Sequence, residues 1–421
     1  SLGDYRVNEA TSEIPIAGPL PPGWSRREQR VEDRETGKIS YITVIVPETS
    51  DLLTSVELSQ DFGQRSPTAF TDREVDDLKG ELDALLPTYQ RFVPQLGWGL
   101  AQGLTRFNRV EGFSTGASAT FALTPVSSVS VEGRIGTGDR EPYGAVTLTR
   151  GSPDRQWSLS GFHRLQDMGE WDNPFSLAKS VQNVLFGWDR GQYYRSTGAT
   201  LGYSRVGEGT RTTLTAFVER HAPVGIETDF FLLDPVLDRE PSPLAQADAA
   251  TIQGGRADFR WFHGIDPNKL ILSGQMLAEA GAGDARYQRA AVTVAASHPL
   301  PLGLAGALEV GAGALWGDVL LQREFFIGGA PTLRGFGDES IHGASFWRSR
   351  AELASGFAGA RVVAFSDLAW AGPRTDFTLD DPFVSVGVGS SLLDGLLRFD
   401  LARAVRRGSA WRLHLYLDGL F

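Results

Sequence analysis

The sequence predicts an all-β chain: an antiparallel transmembrane β-barrel of about sixteen strands, with a small N-terminal periplasmic segment in front of it. Three observations point there. From about Gln95 onward, apolar and polar residues alternate with a period of two. Tight turns and long connections alternate between those stretches. No run of about 18 apolar residues, the length a spanning helix needs, occurs anywhere in the chain.

The alternation is regular. In "SVSVEGRI", Val129, Val131 and Ile135 fall on one side, and Glu132 and Arg134 on the other. In "DPFVSVGVGSS", Val384, Val386 and Val388 stand between small residues. In "WRLHLYLDGLF", Trp411, Leu413, Leu415, Leu417 and Phe421 share a parity, and Arg412, His414, Tyr416 and Asp418 take the opposite one. Such strands have one apolar and one polar face. A soluble sandwich with one wet face would show the same pattern, so the connections decide. "TPVS" after Leu123, "GSPDR" at 151–155, "VGEG" at 206–209, "IDPN" at 265–268 and "LLDG" at 392–395 are turn-like. They alternate with the longer connections 165–192, 221–250, 316–342 and 371–380. Tight turns at one end and long loops at the other describe an up-and-down barrel, whereas a sandwich would need Greek-key crossovers. A mean hydropathy of −0.16 fits, because a polar lumen dilutes the apolar face.

Residues 1–94 read differently and are set apart from a barrel over 95–421. "PIAGPLPPGW" is a proline-punctuated linker. "EQRVEDRETGKISYITVIVP" reads as a hairpin turning at Thr36-Gly37. "TDREVDDLKGELDALLP" reads as a short helix: Thr71 and Glu74 have capping-box spacing, Val75, Leu78, Leu82 and Leu85 make one face, and Pro87 stops it. The opening "SLGDYRVNEA" has neither a starting Met nor a basic or apolar leader, as expected of a mature chain or a fragment.

Composition narrows the function. A net charge of −11 argues against nucleic acid as a partner. With no cysteine there is no disulfide framework or thiol nucleophile. The six histidines have no metal-ligand spacing, and no phosphate or dinucleotide fingerprint appears, so neither metal nor cofactor is expected. "GFSTG" at 112–116 matches a nucleophile elbow, but Ser114 leads into another strand instead of a helix, so no enzyme is expected. Asp172 and Asp189, in a segment with a possible helical turn, either cap an external opening, bind a cation or belong to a solvated loop. Glu132, Arg134, Arg256, Asp258, Arg260, Arg348, Arg350, Glu352, Arg398 and Asp400 fall on the lumen side. They are expected mainly to solvate the inner wall as wet pairs worth about 0–1 kcal/mol each.

The stretch "FFIGGAPTLRGFGDES", Phe325 to Ser340, interrupts the strand pattern with a glycine-rich excursion centred on Arg334. By strand count it lies between the eleventh and twelfth strands, on the long-loop side. "IGG" followed by "TLRGF" resembles the Val-Arg-Gly-Phe/Tyr loop motif of the BamA/TamA outer-membrane assembly superfamily, which includes two-partner secretion transporters. "FWRSRAEL" is similar to that family's next strand, and "FSDLAWAG" to its Phe-x-Asp-x-Gly strand motif, with Ala369 in place of the glycine. "GLLRFDLARAV" and "LHLYLDGLF" resemble the last two strands and the C-terminal assembly signal ending in Phe421. "FNRVEGFSTGASATF" is similar to barrel openings of the superfamily. Residues 1–94 do not spell recognisable POTRA domains, the periplasmic modules of the family.

The resemblance implies that the loop folds back into the lumen and that Arg334 pairs with Asp367. Parity agrees, since Asp367 shares a side with Arg361 and Phe365. Gly335 and Gly337 would let the tip carrying Phe336 turn close to the wall, and an arginine fork would hold a carboxylate bidentately. The plainer reading is an ordinary lumenal arginine in a mobile loop. The family also implies a weak seam between first and last strands. Gly97, Gly99 and Gly103, with Gly419 and Phe421 at the other end, either make that seam separable or accommodate curvature. The implied function is insertion, assembly or translocation of proteins at the bacterial outer membrane through a lateral seam. Partners would be the lipid bilayer, unfolded outer-membrane or secreted polypeptides and accessory periplasmic proteins. A passive pore or a two-partner-secretion-type export channel is the alternative.

Overall fold

The computed structural model describes residues 24–32, 39–47, 92–99, 103–233, 242–264, 266, 269–355, 360–392 and 397–416. The chain divides into two compact units, residues 1–88 and 89–421. In the first unit β1 (Trp24–Glu32) and β2 (Ile39–Pro47) pair antiparallel from Trp24↔Pro47 to Glu32↔Ile39. The turn at Thr36-Gly37, the helix expected over 71–87, and Gly419 and Phe421 lie outside the described residues.

The second unit is a barrel. Its wall begins with β3 (Pro94–Trp98) and β4 (Arg106–Asn108), which both pair with β5 (Gly112–Thr124) and so form one interrupted strand. There follow β6 (Ser127–Gly136), β7 (Pro142–Ser152), β8 (Arg155–Asp167) and β9 (Tyr193–Gly207). Next come β10 (Thr210–Pro223), β11 (Ala250–His263), β12 (Ile271–Gly283), β13 (Tyr287–Leu300) and β14 (Leu304–Gly317). A two-stranded hairpin, β15 (Phe325–Ile327) and β16 (Ile341–Gly343), leaves the wall here. The wall resumes with β17 (Ser345–Ser355), β18 (Ala360–Gly372), β19 (Phe383–Leu392), β20 (Leu397–Arg406) and β21 (Trp411–Tyr416). Sixteen wall strands are thus present among the described residues, and the ring order sets β21 beside β3.

The period-two pattern sorts the faces as a lipid-embedded cylinder requires. Val388 is 56% exposed and Leu413 63%, while Asp400 is fully buried. Large apolar side chains point out and charges point in, the reverse of a water-soluble domain. Among the described residues no helix is long and apolar enough to cross a membrane.

Two insertions on the long-loop side occupy the interior. The hairpin β15–β16 and its tip pack Phe325, Ile327 and Leu333 against Tyr287, Leu315, Phe346 and Ala369 of the wall. The connection between β8 and β9 holds α1 (Leu177–Phe186), a ten-residue helix where the sequence suggested at most a turn. Its ends explain it. The Ser176 hydroxyl accepts the Lys179 N–H at the N-cap, and Gly187 takes the left-handed conformation at the C-cap.

Candidate functional site: the docked arginine loop and the seam

The loop tip is shaped by local hydrogen bonds before it meets the wall. Gly328 and Gly329 have φ of 125° and 82°, a region side chains disfavour. The Thr332 hydroxyl accepts the Gly328 N–H at 2.7 Å and donates to the Gly328 carbonyl at 2.9 Å. The Leu333 N–H donates to the Gly329 carbonyl at 3.0 Å, which brings Arg334 to the apex. Gly335 then lies directly on the wall. A Cβ there would come within 2.5 Å of Ser385 Cβ and 2.8 Å of the Ala404 amide nitrogen. Phe336 sets its ring edge-on to Phe383 at 5.3 Å.

Arg334 is completely buried, and its guanidinium is saturated by carboxylates. Its backbone N–H and Nε donate to Asp367 Oδ2 at 3.0 and 2.9 Å, and Nη2 donates to Oδ1. Nη1 donates to Glu352 Oε1 at 2.5 Å and to Asp400 Oδ2 at 3.0 Å. The guanidinium plane rests 3.5 Å from the Phe365 ring centroid. Arg398 completes the cluster, donating through both Nη atoms to Glu352 at 2.8 and 2.9 Å and through Nε to Asp400 at 3.0 Å. Arg350 lies 3.6 Å from Glu352 and 3.9 Å from Asp367, so three arginines face three carboxylates. Arg348 and Arg350 also donate to the Pro331 carbonyl at 2.9 and 3.0 Å, gripping the loop from β17.

This corrects the expectation of wet lumenal pairs. Glu132 and Arg260 are exposed, but Arg350, Glu352, Arg398 and Asp400 are dry because the tip covers them. In that setting each charge depends on its partners, since an uncompensated buried charge is costly.

The tip also touches the last strand. His414 Nε2 lies 2.7 Å from the Arg334 carbonyl, and Arg412 Nε donates to the Gly335 carbonyl at 3.3 Å. On the first strand Gly97 is buried within β3. Gly99 and Gly103, read from the sequence as glycines of a weak first strand, lie between β3 and β4 at φ of 87° and 68°. Only glycine adopts that backbone readily, so these residues break the strand outright.

The fold of this chain is also found among solved structures. BamA from Haemophilus ducreyi, in a form lacking POTRA domains 1–3, superposes with a TM-score of 0.50 at 12% identity, over 93% of this chain and 88% of that one. This chain has the fold of a BamA barrel. CdiB from Acinetobacter baumannii gives 0.42 at 11% identity over 93% of this chain and 64% of that one. CdiB from Escherichia coli gives 0.41 at 14% identity over 85% and 72%. No protein-family model matches the sequence, and no curated protein matches it.

Within this BamA-type barrel a second buried arginine, which sequence reasoning did not single out, holds the base of the loop. Arg323 donates through Nε to Tyr287 Oη at 3.0 Å, and through Nη2 and Nη1 to Glu219 Oε2 and Tyr194 Oη at 3.2 and 3.3 Å. Its Nε also lies 3.2 Å from Glu279. The available signal was one cation within the apolar "VLLQREFF".

Of the BamA-type barrel's two candidate aspartates, Asp172 is half-buried and Asp189 is buried, and each is engaged by neighbouring groups. Asp172 binds Lys179 Nζ at 2.8 Å, and Asp189 is buried, accepting from the Arg109 N–H and the Tyr193 hydroxyl, each at 2.7 Å. Among the described residues no group of three or more acidic or histidine side chains is arranged to hold a metal ion. Ser114 lies buried in β5, which continues to Thr124 without the strand-to-helix turn that an elbow requires.

Proposed function

We propose that this chain is a bacterial outer-membrane barrel that inserts or translocates polypeptides through the seam between its first and last strands, without bond chemistry. One observation carries the reading: the buried loop held by Asp367 is also bonded to β21, through His414 on the Arg334 carbonyl and Arg412 on the Gly335 carbonyl. The element that fills the lumen is thereby connected to the strand that borders the seam. An incoming extended segment would pair with that border and satisfy backbone groups that lipid cannot. The partners are the bilayer and unfolded outer-membrane or secreted polypeptides, with periplasmic accessory proteins delivering them.

The test is a seam lock. The chain has no native cysteine, so one pair placed across β3 and β21 forms a single defined disulfide. Insertion of a small barrel client into proteoliposomes should stop on oxidation and return on reduction. Full activity in the oxidised, locked protein would refute the proposal. Bilayer conductance separates the channel alternative, which requires large, steady currents that do not change when the arginine loop is altered.

A further inference from the structure

Helix α1 does more than fill space: its polar side chains are bonded to the backbone of both strands that flank the seam. On the first strand, the Phe107 N–H donates to Ser180 Oγ at 3.2 Å, and Asn183 Nδ2 donates to the Phe107 carbonyl at 3.3 Å. On the last strand, Gln182 Nε2 donates to the Leu415 carbonyl at 3.1 Å. Phe107 stands opposite Phe113 of β5, and Leu415 opposite Phe399 of β20. In an antiparallel pair the backbone groups of a residue face either the partner strand or the other side. With both its groups given to α1, Phe107 turns its backbone away from β5, toward the ring position of β21. At Phe107 the helix therefore occupies both backbone groups that a neighbouring strand would otherwise use, and one turn of it also holds the Leu415 carbonyl of β21.

The helix is tethered at both ends. Its C-terminal carbonyls of Val184 and Leu185 accept the N–H groups of Leu232 and Leu233 at 2.7 and 3.2 Å. Near its N-terminus Lys179 Nζ lies 3.2 Å from Asp338 of the arginine loop. Three side-chain hydrogen bonds at the seam are a modest hold, weak enough to be released and remade.

We propose that α1 is a wedge that blocks strand addition at the seam, and that it must withdraw before an extended polypeptide can pair with either flanking strand. This inference rests on the proposed function and adds its control element. Two measurements test it. In the first, the triple variant Ser180→Ala, Gln182→Ala, Asn183→Ala is followed by amide hydrogen exchange. The Phe107 amide should exchange at least tenfold faster while the β11–β13 ladder is unchanged; an unchanged Phe107 amide would overturn the wedge.

In the second, Gln182→Cys and Leu415→Cys are joined by a reducible bis-thiol linker, and client insertion is compared with the β3–β21 seam lock. Loss of insertion in both proteins, restored by reduction, supports the wedge. Insertion that persists with α1 tethered but stops with the seam locked overturns the wedge and leaves the proposed function standing. Insertion that persists with the seam locked overturns both.

Discussion

Arg334 and Asp367 meet through three donors on two carboxylate oxygens, with the backbone N–H of the arginine joining its side chain on Oδ2. Because main chain and side chain grip one carboxylate, the pair fixes where the apex lies as well as its charge. Asp367→Asn removes the charge and half the acceptor capacity, leaving a buried guanidinium undercompensated. We expect a loss of about 3–5 kcal/mol in urea unfolding followed by heat-modifiable gel mobility. Arg334→Lys keeps the charge but not the fork, and should fall between wild type and Arg334→Ala. Equal stability of wild type and all three variants would show that the pair contributes nothing.

Gly335→Ala tests contact rather than charge. The added methyl would need the space held by Ser385 Cβ and the Ala404 backbone, at 2.5 and 2.8 Å, and the wall cannot yield without breaking its ladder. The tip should lift, and limited proteolysis should cut between Gly328 and Ser340 in the variant but not in wild type.

Glu352 bonds both Arg334 and Arg398. Glu352→Gln should therefore destabilise the barrel by about 3–5 kcal/mol. Combined with Arg334→Ala it should cost less than the two single losses added, because the variants share partners. Strict additivity in the double-mutant cycle would show that the cluster does not act as a unit.

Loop docking should depend on pH through Glu339. Burial pushes its carboxyl up from 4.5 to about 7, against the lowering influence of the Gln192 N–H, which donates to its Oε2 at 2.9 Å. The carboxylates of Asp172 and Asp338 add to the rise. A raised carboxyl favours the docked state fully below about 4.5, and that contribution is lost as pH climbs through about 7. Protease access to the loop should therefore increase between pH 5 and 8 in wild type, and Glu339→Gln should flatten the profile. An identical profile in the variant would exclude Glu339 as the origin.

Ser114→Ala should leave any hydrolysis detected in purified protein unchanged, because the residue is buried in a continuing strand. A loss specific to this change would point to an enzyme.

The barrel was readable because period two is a wall property: each inward charge and outward valine is set by its neighbours two residues away. Loop lengths placed Arg334 after the eleventh strand for the same reason, and the parity of "RVVAFSDLA" already put Asp367 on the inner face. What periodicity does not carry is what lies across the lumen. Nothing along β17 or β20 reveals that Glu352 and Arg398 are dry, since their solvent is excluded by a loop outside both strands. Helix α1 was obscured by its polar residues. Ser180, Gln182 and Asn183 weaken an amphipathic pattern because their partners are strand backbones instead of a core.

The two buried arginines of the loop divide the wall between them. Arg323 reaches Tyr194, Glu219, Glu279 and Tyr287, all on strands synthesised earlier. The Arg334 apex reaches Glu352, Asp367, Asp400 and His414, all on strands synthesised later. A folding chain can seat the root of this excursion on the strands that precede it, while its point waits as a mandrel around which the final five staves close. A protein truncated before β18 should thus keep Arg323 shielded by its partners yet leave Arg334 without Asp367, Asp400 and His414.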